Sequence, residues 1–165
     1  MRGVLTGVLL VAGVVAGGGV IEAQGLLARP GPQHASVSAV ASAPAAAPGS
    51  GVTLWADVTP NRSIHIYAEG ASAFTPVSLV LTPNPSVVAG KPKYPRPQVA
   101  STPGAVETVP AYTQKFRIVV PVTIKPSAKA GDALTIGGVI HYQACDDRLC
   151  YPVTSAPVVW NVLVK

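Results

Sequence analysis

The sequence predicts an all-β fold, a two-sheet antiparallel sandwich. Three observations carry that expectation. Apolar and polar residues alternate with a period of two over several short runs, which is the signature of strands with one buried face. Glycine and proline together make 33 of 165 residues, well above the ordinary ~12%, so these runs are cut short by turns. No stretch repeats its apolar residues at the 3.6 spacing of an amphipathic helix.

The chain opens with a segment of different character. Met1-Arg2 carries one positive charge, and Gly3 to Ile21 carries none. That pattern is the basic start and apolar core of a secretory leader, and Ala23 supplies a small residue for cleavage. Residues 1–23 are therefore expected to be a signal peptide. A run of this length also suits an N-terminal anchor in the inner membrane. Either way the remainder is expected to be periplasmic or secreted, touching a membrane only through such an anchor. Residues 24–51 are rich in Ala, Pro, Ser and Gly, with almost no periodicity. A segment like this buries too little apolar surface to offset its ordering entropy, so it is expected to be a disordered linker.

Residues 52–165 carry the strand pattern. Val52, Leu54 and Ala56 alternate with Thr53, Trp55 and Asp57. Ile64 and Ile66 alternate with His65 and Tyr67, and Val77, Leu79 and Leu81 share a face. The longest signal is Phe116, Ile118, Val120, Val122 and Ile124. Leu134 and Ile136 begin another run, in which Gly137-Gly138 is expected to bend or bulge the strand before Val139 to Ala144. Val158 to Val164 forms the last. Thr59-Pro60-Asn61, Pro83-Asn84-Pro85 and Pro126-Ser127 separate the runs. Six or more such strands in one domain fit an immunoglobulin-like antiparallel β-sandwich. Trp55 and Trp160 are expected in its core, and His65 as a half-buried strand residue. Residues 88–112 hold five prolines and little strand pattern, which predicts a long cap-like loop covering a functional feature.

Charge and motifs exclude several functions. Twelve basic residues against seven acidic give a net charge of +5, but they are scattered. Lys91, Lys93 and Arg96 form the one local cluster, interleaved with prolines, and no basic-aromatic pattern supports nucleic-acid binding. Ser63 and Ser78 lack a neighbouring base, and no phosphate loop or dinucleotide fingerprint is present. No cofactor is expected.

The chemistry rests on two cysteines. Cys145 and Cys150 stand in the run His141-Tyr142-Gln143-Ala144-Cys145-Asp146-Asp147-Arg148-Leu149-Cys150-Tyr151-Pro152. If Asp146 to Leu149 form a hairpin loop, the cysteines face each other across two strands, and a disulfide forms easily in an oxidising compartment. Closing so short a loop removes only ~2 kcal/mol of unfolded-state entropy, which makes it a weak staple. Asp146 and Asp147 disfavour a thiolate beside them, although both also suit the turn itself. On spacing alone a structural staple in a non-enzymatic binding module and a redox pair both fit. A copper or other metal site with His141 fits poorly, because His141 and Cys145 lie ~13 Å apart along a strand.

The segment Tyr142 to Pro152 resembles the active-site segment of the N-terminal domain of DsbD, the membrane thiol:disulfide interchange protein. Ile64-His65-Ile66-Tyr67, Val77 to Leu81, Lys93-Tyr94-Pro95, Val109 to Tyr112 and Val120-Pro121-Val122 fall in the order expected of that family. The resemblance spans roughly residues 51–165. It implies an immunoglobulin-like domain whose pair shuttles between disulfide and dithiol, the component of a protein-disulfide reductase. It also implies that Cys150 attacks a partner's disulfide and that Cys145 resolves the mixed disulfide. Tyr67, Tyr142 and Tyr151 are expected as core or rim aromatics or, in the sharper reading, as lining of the cysteine site. Tyr112, Gln143, Asp146 and Asp147 are the other expected site-lining or cap residues, and residues 88–112 the implied cap loop. The implied partners are a membrane electron donor of the DsbD/CcdA type and periplasmic thioredoxin-like oxidoreductases. Because the sequence ends at Lys165, that donor is expected to be a separate protein.

Overall fold

The computed structural model describes residues 33–101 and 108–165. The expected leader and the first part of the expected linker lie outside them. Among the described residues every regular element is a strand, and no helix is long and apolar enough to cross a membrane.

Two four-stranded sheets share one core. The first runs in the order β1 (Ala35–Ala41), β3 (Gly51–Pro60), β9 (Phe116–Ile124), β6 (Val87–Ala89). The second runs β2 (Ala45–Ala46), β12 (Thr154–Val164), β10 (Ala133–Tyr142), β5 (Ser78–Leu81). Leu54, Ala56 and Val58 of β3 and Ile118, Val120 and Ile124 of β9 are buried with Ile136 and Ile140 of β10 and Val158, Trp160 and Val162 of β12. Every second residue of these strands thus leaves water, at roughly 1.5–3 kcal/mol for each large apolar side chain. One polar bond ties the sheets together: the Trp160 indole N–H donates to the Trp55 carbonyl at 2.9 Å.

A third, smaller sheet follows from the same strands. It is ordered β11 (Ala144–Cys145), β4 (His65–Tyr67), β8 (Thr108–Tyr112), β7 (Gln98–Ser101). One residue separates β11 from the end of β10, and a short turn separates β4 from the end of β3. This sheet is therefore anchored where a long strand of each main sheet runs out.

Four expectations need correction. Part of the expected linker is folded: β1 pairs with β3 along its whole length, from Ala35↔Pro60 to Ala41↔Leu54, and β2 pairs in parallel with β12. Ala35, Val37, Ala39 and Ala41 lean inward while Ser36, Ser38 and Val40 are exposed. A period-two pattern was thus present, carried by side chains so small that the composition resembles low complexity. The folded domain accordingly begins before residue 52. Secondly, β10 runs through Gly137-Gly138 without a bulge, paired in unbroken register with Val159 and Val158. Gly138 serves instead for close approach, since a Cβ there would meet Leu81 Cδ2 at 3.0 Å and the Val80 carbonyl at 3.1 Å. Thirdly, residues 88–112 are not a bare loop. They contain β7 and β8, paired antiparallel from Gln98↔Ala111 to Ser101↔Thr108, and a bridge from Lys93 to Val119. Pro110 is tolerated because its carbonyl accepts from Ala68 N–H without a donor being needed. Lastly, Trp160 is core but Trp55 is only half-buried, on the outer face with the Arg117 guanidinium 4.8 Å above its ring.

Candidate active site

The cysteine segment folds as a tight hairpin. Cys145 and Cys150 form an isolated antiparallel bridge with Cα atoms 4.0 Å apart, and their sulfurs are bonded. Asp146 N–H donates to the Leu149 carbonyl at 3.0 Å, and Tyr151 N–H donates to the Ala144 carbonyl at 2.8 Å. Asp146 organises the turn as an Asx residue does. Its Oδ1 accepts from the backbone N–H groups of Arg148 at 2.7 Å and Leu149 at 2.9 Å. Its Oδ2 accepts from the Tyr151 hydroxyl at 2.6 Å. That hydroxyl, with the two backbone donors, lowers the Asp146 carboxyl to a pKa of about 2.

The two sulfurs are unequal. Cys145 is fully buried, whereas Cys150 is partly exposed. Tyr67 links them. Its hydroxyl lies 3.0 Å from Cys145 Sγ and 3.4 Å from Cys150 Sγ, and because bonded sulfurs carry no hydrogen, the tyrosine is the donor. Burial pushes the phenol above its ordinary pKa, which keeps that proton in place. The Phe74 ring stacks on Tyr67 at 4.0 Å between centroids. Tyr67, Ala71, Ala111 and Cys145 make a small apolar cluster of their own, with Phe74, Ala100, Val109 and Cys150 packed against it. Loop 68–76 and the β7–β8 hairpin therefore flank the pair.

The remaining residues singled out from the sequence divide in two. Gln143 braces the site: its Oε1 accepts from Thr75 N–H at 2.9 Å, and its Nε2 donates to the Tyr151 carbonyl at 3.4 Å. Tyr151 stacks on His34 at 3.7 Å, and Asp147 is exposed on the turn. Tyr112 and Tyr142 are packed in the main core instead. Tyr112 stacks on Phe116 and donates to the Pro95 carbonyl at 2.8 Å, while Tyr142 reaches Gln33 at 3.4 Å. His141 engages Ser155 Oγ at 2.9 Å across the strand pair. Among the described residues, no three His, Cys, Asp or Glu side chains gather as a metal-binding group.

Phe74 and His34 were not visible as site residues. Phe74 lies in Ala71-Ser72-Ala73-Phe74-Thr75, where no periodicity marks it, and His34 lies in the segment that composition assigned to the linker. His65 was visible only as a strand residue, yet it is the register partner of Cys145.

Comparison with known families settles the ancestry. Residues 34–158 match the family described as thiol:disulfide interchange protein DsbD, N-terminal. The chain belongs to this family. The matched span begins one residue before β1, in agreement with the earlier start of the folded domain. Among solved structures, the DsbD N-terminal domain of Neisseria meningitidis in its reduced form is similar at 14% identity and a TM-score of 0.47, covering 77% of this chain and 83% of that one. The N-terminal periplasmic domain of ScsB from Proteus mirabilis gives 16% identity and a TM-score of 0.47, over 81% of this chain and 48% of that one. The chain thus spans about half of the ScsB structure. No curated protein sequence matches it. Membership of the DsbD N-terminal family, together with a bonded Cys145–Cys150 pair, supports thiol-disulfide exchange with thiol-redox partners in general.

Proposed function

We propose that this DsbD-family domain works in the periplasm as a dithiol carrier, accepting electrons from a membrane donor of the DsbD/CcdA type and passing them to thioredoxin-like oxidoreductases. The observation that carries this reading is the inequality of the sulfurs, one buried and held by Tyr67, the other partly open. A partner thiolate attacks Cys150 Sγ, the open atom. The Cys145–Cys150 bond breaks, and Cys145 departs as a thiolate that takes up a proton. The partner's second thiol then breaks the mixed disulfide, so two electrons and two protons have entered the pair.

Delivery runs the same path in reverse. Cys150 attacks the acceptor's disulfide, Cys145 attacks Cys150 Sγ, and the acceptor leaves as a dithiol. The shortness of the bridge agrees with this role, because a loop this small adds only ~2 kcal/mol as a staple. Periplasmic placement is supported by the leader-like residues 1–23.

Mixing the reduced chain with an oxidised thioredoxin-like protein tests the assignment. Cys145→Ala is expected to accumulate a mixed disulfide through Cys150, and Cys150→Ala to form none. If Cys150→Ala instead loses ~2 kcal/mol of stability and the unmodified chain exchanges nothing, the pair is a structural staple.

A further inference from the structure

One buried polar group near the sulfurs has no partner in the exchange chemistry described so far. His65 is 6% exposed, and its Nε2 finds no hydrogen-bond partner among the described residues. A buried polar atom left unpaired ordinarily costs stability, so an unpartnered ring nitrogen needs a reason. Its position supplies one. His65 on β4 is directly paired with Cys145 on β11, and Cys145 is in turn bridged to Cys150. Directly opposed residues put their side chains on the same face with Cβ atoms roughly 4.5–5.5 Å apart. Tyr67, two residues along β4, shares that face and meets the His65 ring edge-on at 5.3 Å.

We propose that His65 is the proton acceptor for the Cys145 thiol when the mixed disulfide on Cys150 is resolved. The proposal rests on the exchange reading above and adds to it a residue and a step. In the mixed disulfide, with Cys150 bonded to the partner sulfur, the Cys145 thiol gives its proton to the imidazole. The thiolate attacks Cys150 Sγ and forms the Cys145–Cys150 bond. The bond from Cys150 to the partner breaks, its electron pair leaves on the partner sulfur, and that sulfur takes a proton from the imidazolium or from water. The pair is oxidised by two electrons, and the partner disulfide is reduced by two.

The surroundings suit a neutral imidazole that becomes charged briefly. Burial lowers the His65 pKa, which leaves the ring free to accept, while Asp147 and Asp146 oppose that shift and favour the imidazolium once formed. The groups facing it are Tyr67 from its own strand, Cys145 from β11, and Asp146 and Asp147 from the hairpin turn. On the side toward β7 the depression beside it is lined by Ala100, Ser101 and Thr113, none of which titrates. The same two carboxylates that disfavour a Cys145 thiolate thus stabilise the cation that accompanies it.

The reduced chain treated with 5,5′-dithiobis(2-nitrobenzoate) reads the step without any protein partner, because the second thiolate released reports attack by Cys145 on Cys150. His65→Gln, which keeps a polar side chain of similar reach, is expected to slow that second release by about tenfold or more near neutral pH and to recover toward the unmodified rate as the solution becomes alkaline. An unchanged rate and pH profile would overturn the proposal and leave His65 a packed strand residue. Should His65→Gln not fold, imidazole titration by NMR in the reduced chain decides: the His65 pKa is expected to move when Cys145 is replaced by Ser, and a titration that stays put overturns the proposal. Neither result depends on whether protein partners reach the disulfide, so a failure here is distinguishable from a failure of the carrier assignment.

Discussion

The Tyr67 hydroxyl stands 3.0 Å from the Cys145 sulfur, and the same oxygen reaches Cys150 at 3.4 Å. One side chain on a three-residue strand therefore donates to the pair from a position fixed by three neighbours: Tyr67 N–H donates to the Gln143 carbonyl at 3.3 Å, its carbonyl accepts from Val77 N–H at 2.8 Å, and its ring lies against Phe74. A hydrogen bond to a charged acceptor is about twice as strong as one to a neutral acceptor, so the hydroxyl favours a thiolate over a thiol. Tyr67→Phe is expected to raise the Cys145 thiol pKa by about half to one unit. The pH dependence of alkylation in the reduced chain measures this, and an unmoved profile would show that the hydroxyl only packs.

Phe74 shields rather than reacts. Its ring covers the Tyr67 face and packs against the small cluster that holds Cys145. Phe74→Ala is expected to cost about 1–2 kcal/mol, because the ring is only half-buried. The rate at which dithiothreitol reduces the disulfide should rise several-fold in the same variant. Equal rates would mean that the β7–β8 hairpin alone controls access.

The contrast between Phe74 and Ile118 shows what the sequence could reveal. Ile118 sits in a nine-residue strand with strict alternation, so its burial was legible from period alone. The sandwich class was legible from such runs with their Gly and Pro breaks, and the cysteine hairpin from the spacing of the pair. Phe74 is positioned by a loop whose shape depends on Gln143, far away in the chain, which accepts from the neighbouring Thr75 N–H, and no local pattern encodes that. β1 was missed for a different reason. Alanine and serine alternate weakly in hydrophobicity, and only pairing with β3 makes the alternation matter. The β7–β8 hairpin was hidden by proline, which is harmless at Pro110, where a carbonyl rather than an N–H is required. His65 carried no signal until β4 and β11 were brought into register.

Close packing at Gly138 directly tests the approach of β5 to β10. Gly138→Ala places a Cβ against Leu81 Cδ2 and the Val80 carbonyl, and the carbonyl cannot rotate away as a side chain does. A loss of about 1–3 kcal/mol in denaturant unfolding is expected. A neutral substitution would mean that β5 lies farther from β10 than described.

Acid should loosen the cysteine turn late. The Asp146 carboxyl is lowered from its ordinary 3.8 to about 2, chiefly by the Tyr151 hydroxyl. A carboxyl with a depressed folded-state pKa stabilises the turn above its unfolded value, and this contribution fades as pH falls through the interval down to about 2. Asp146 should therefore remain ionised near pH 3, where an unperturbed aspartate is mostly protonated. Carboxyl-carbon NMR titration checks this. A midpoint near the ordinary value would show that the Tyr151 and backbone donors do not hold the carboxylate in solution.

The reduction potential of the Cys145–Cys150 pair bears most directly on the central claim that this bond is made to be exchanged. Thiol labelling of the full chain in graded redox buffers gives it. A carrier predicts a value above about −300 mV, within reach of periplasmic dithiol partners. A value well below that would mark a bond that partners do not reduce, and would contradict the assignment of this domain to electron transfer.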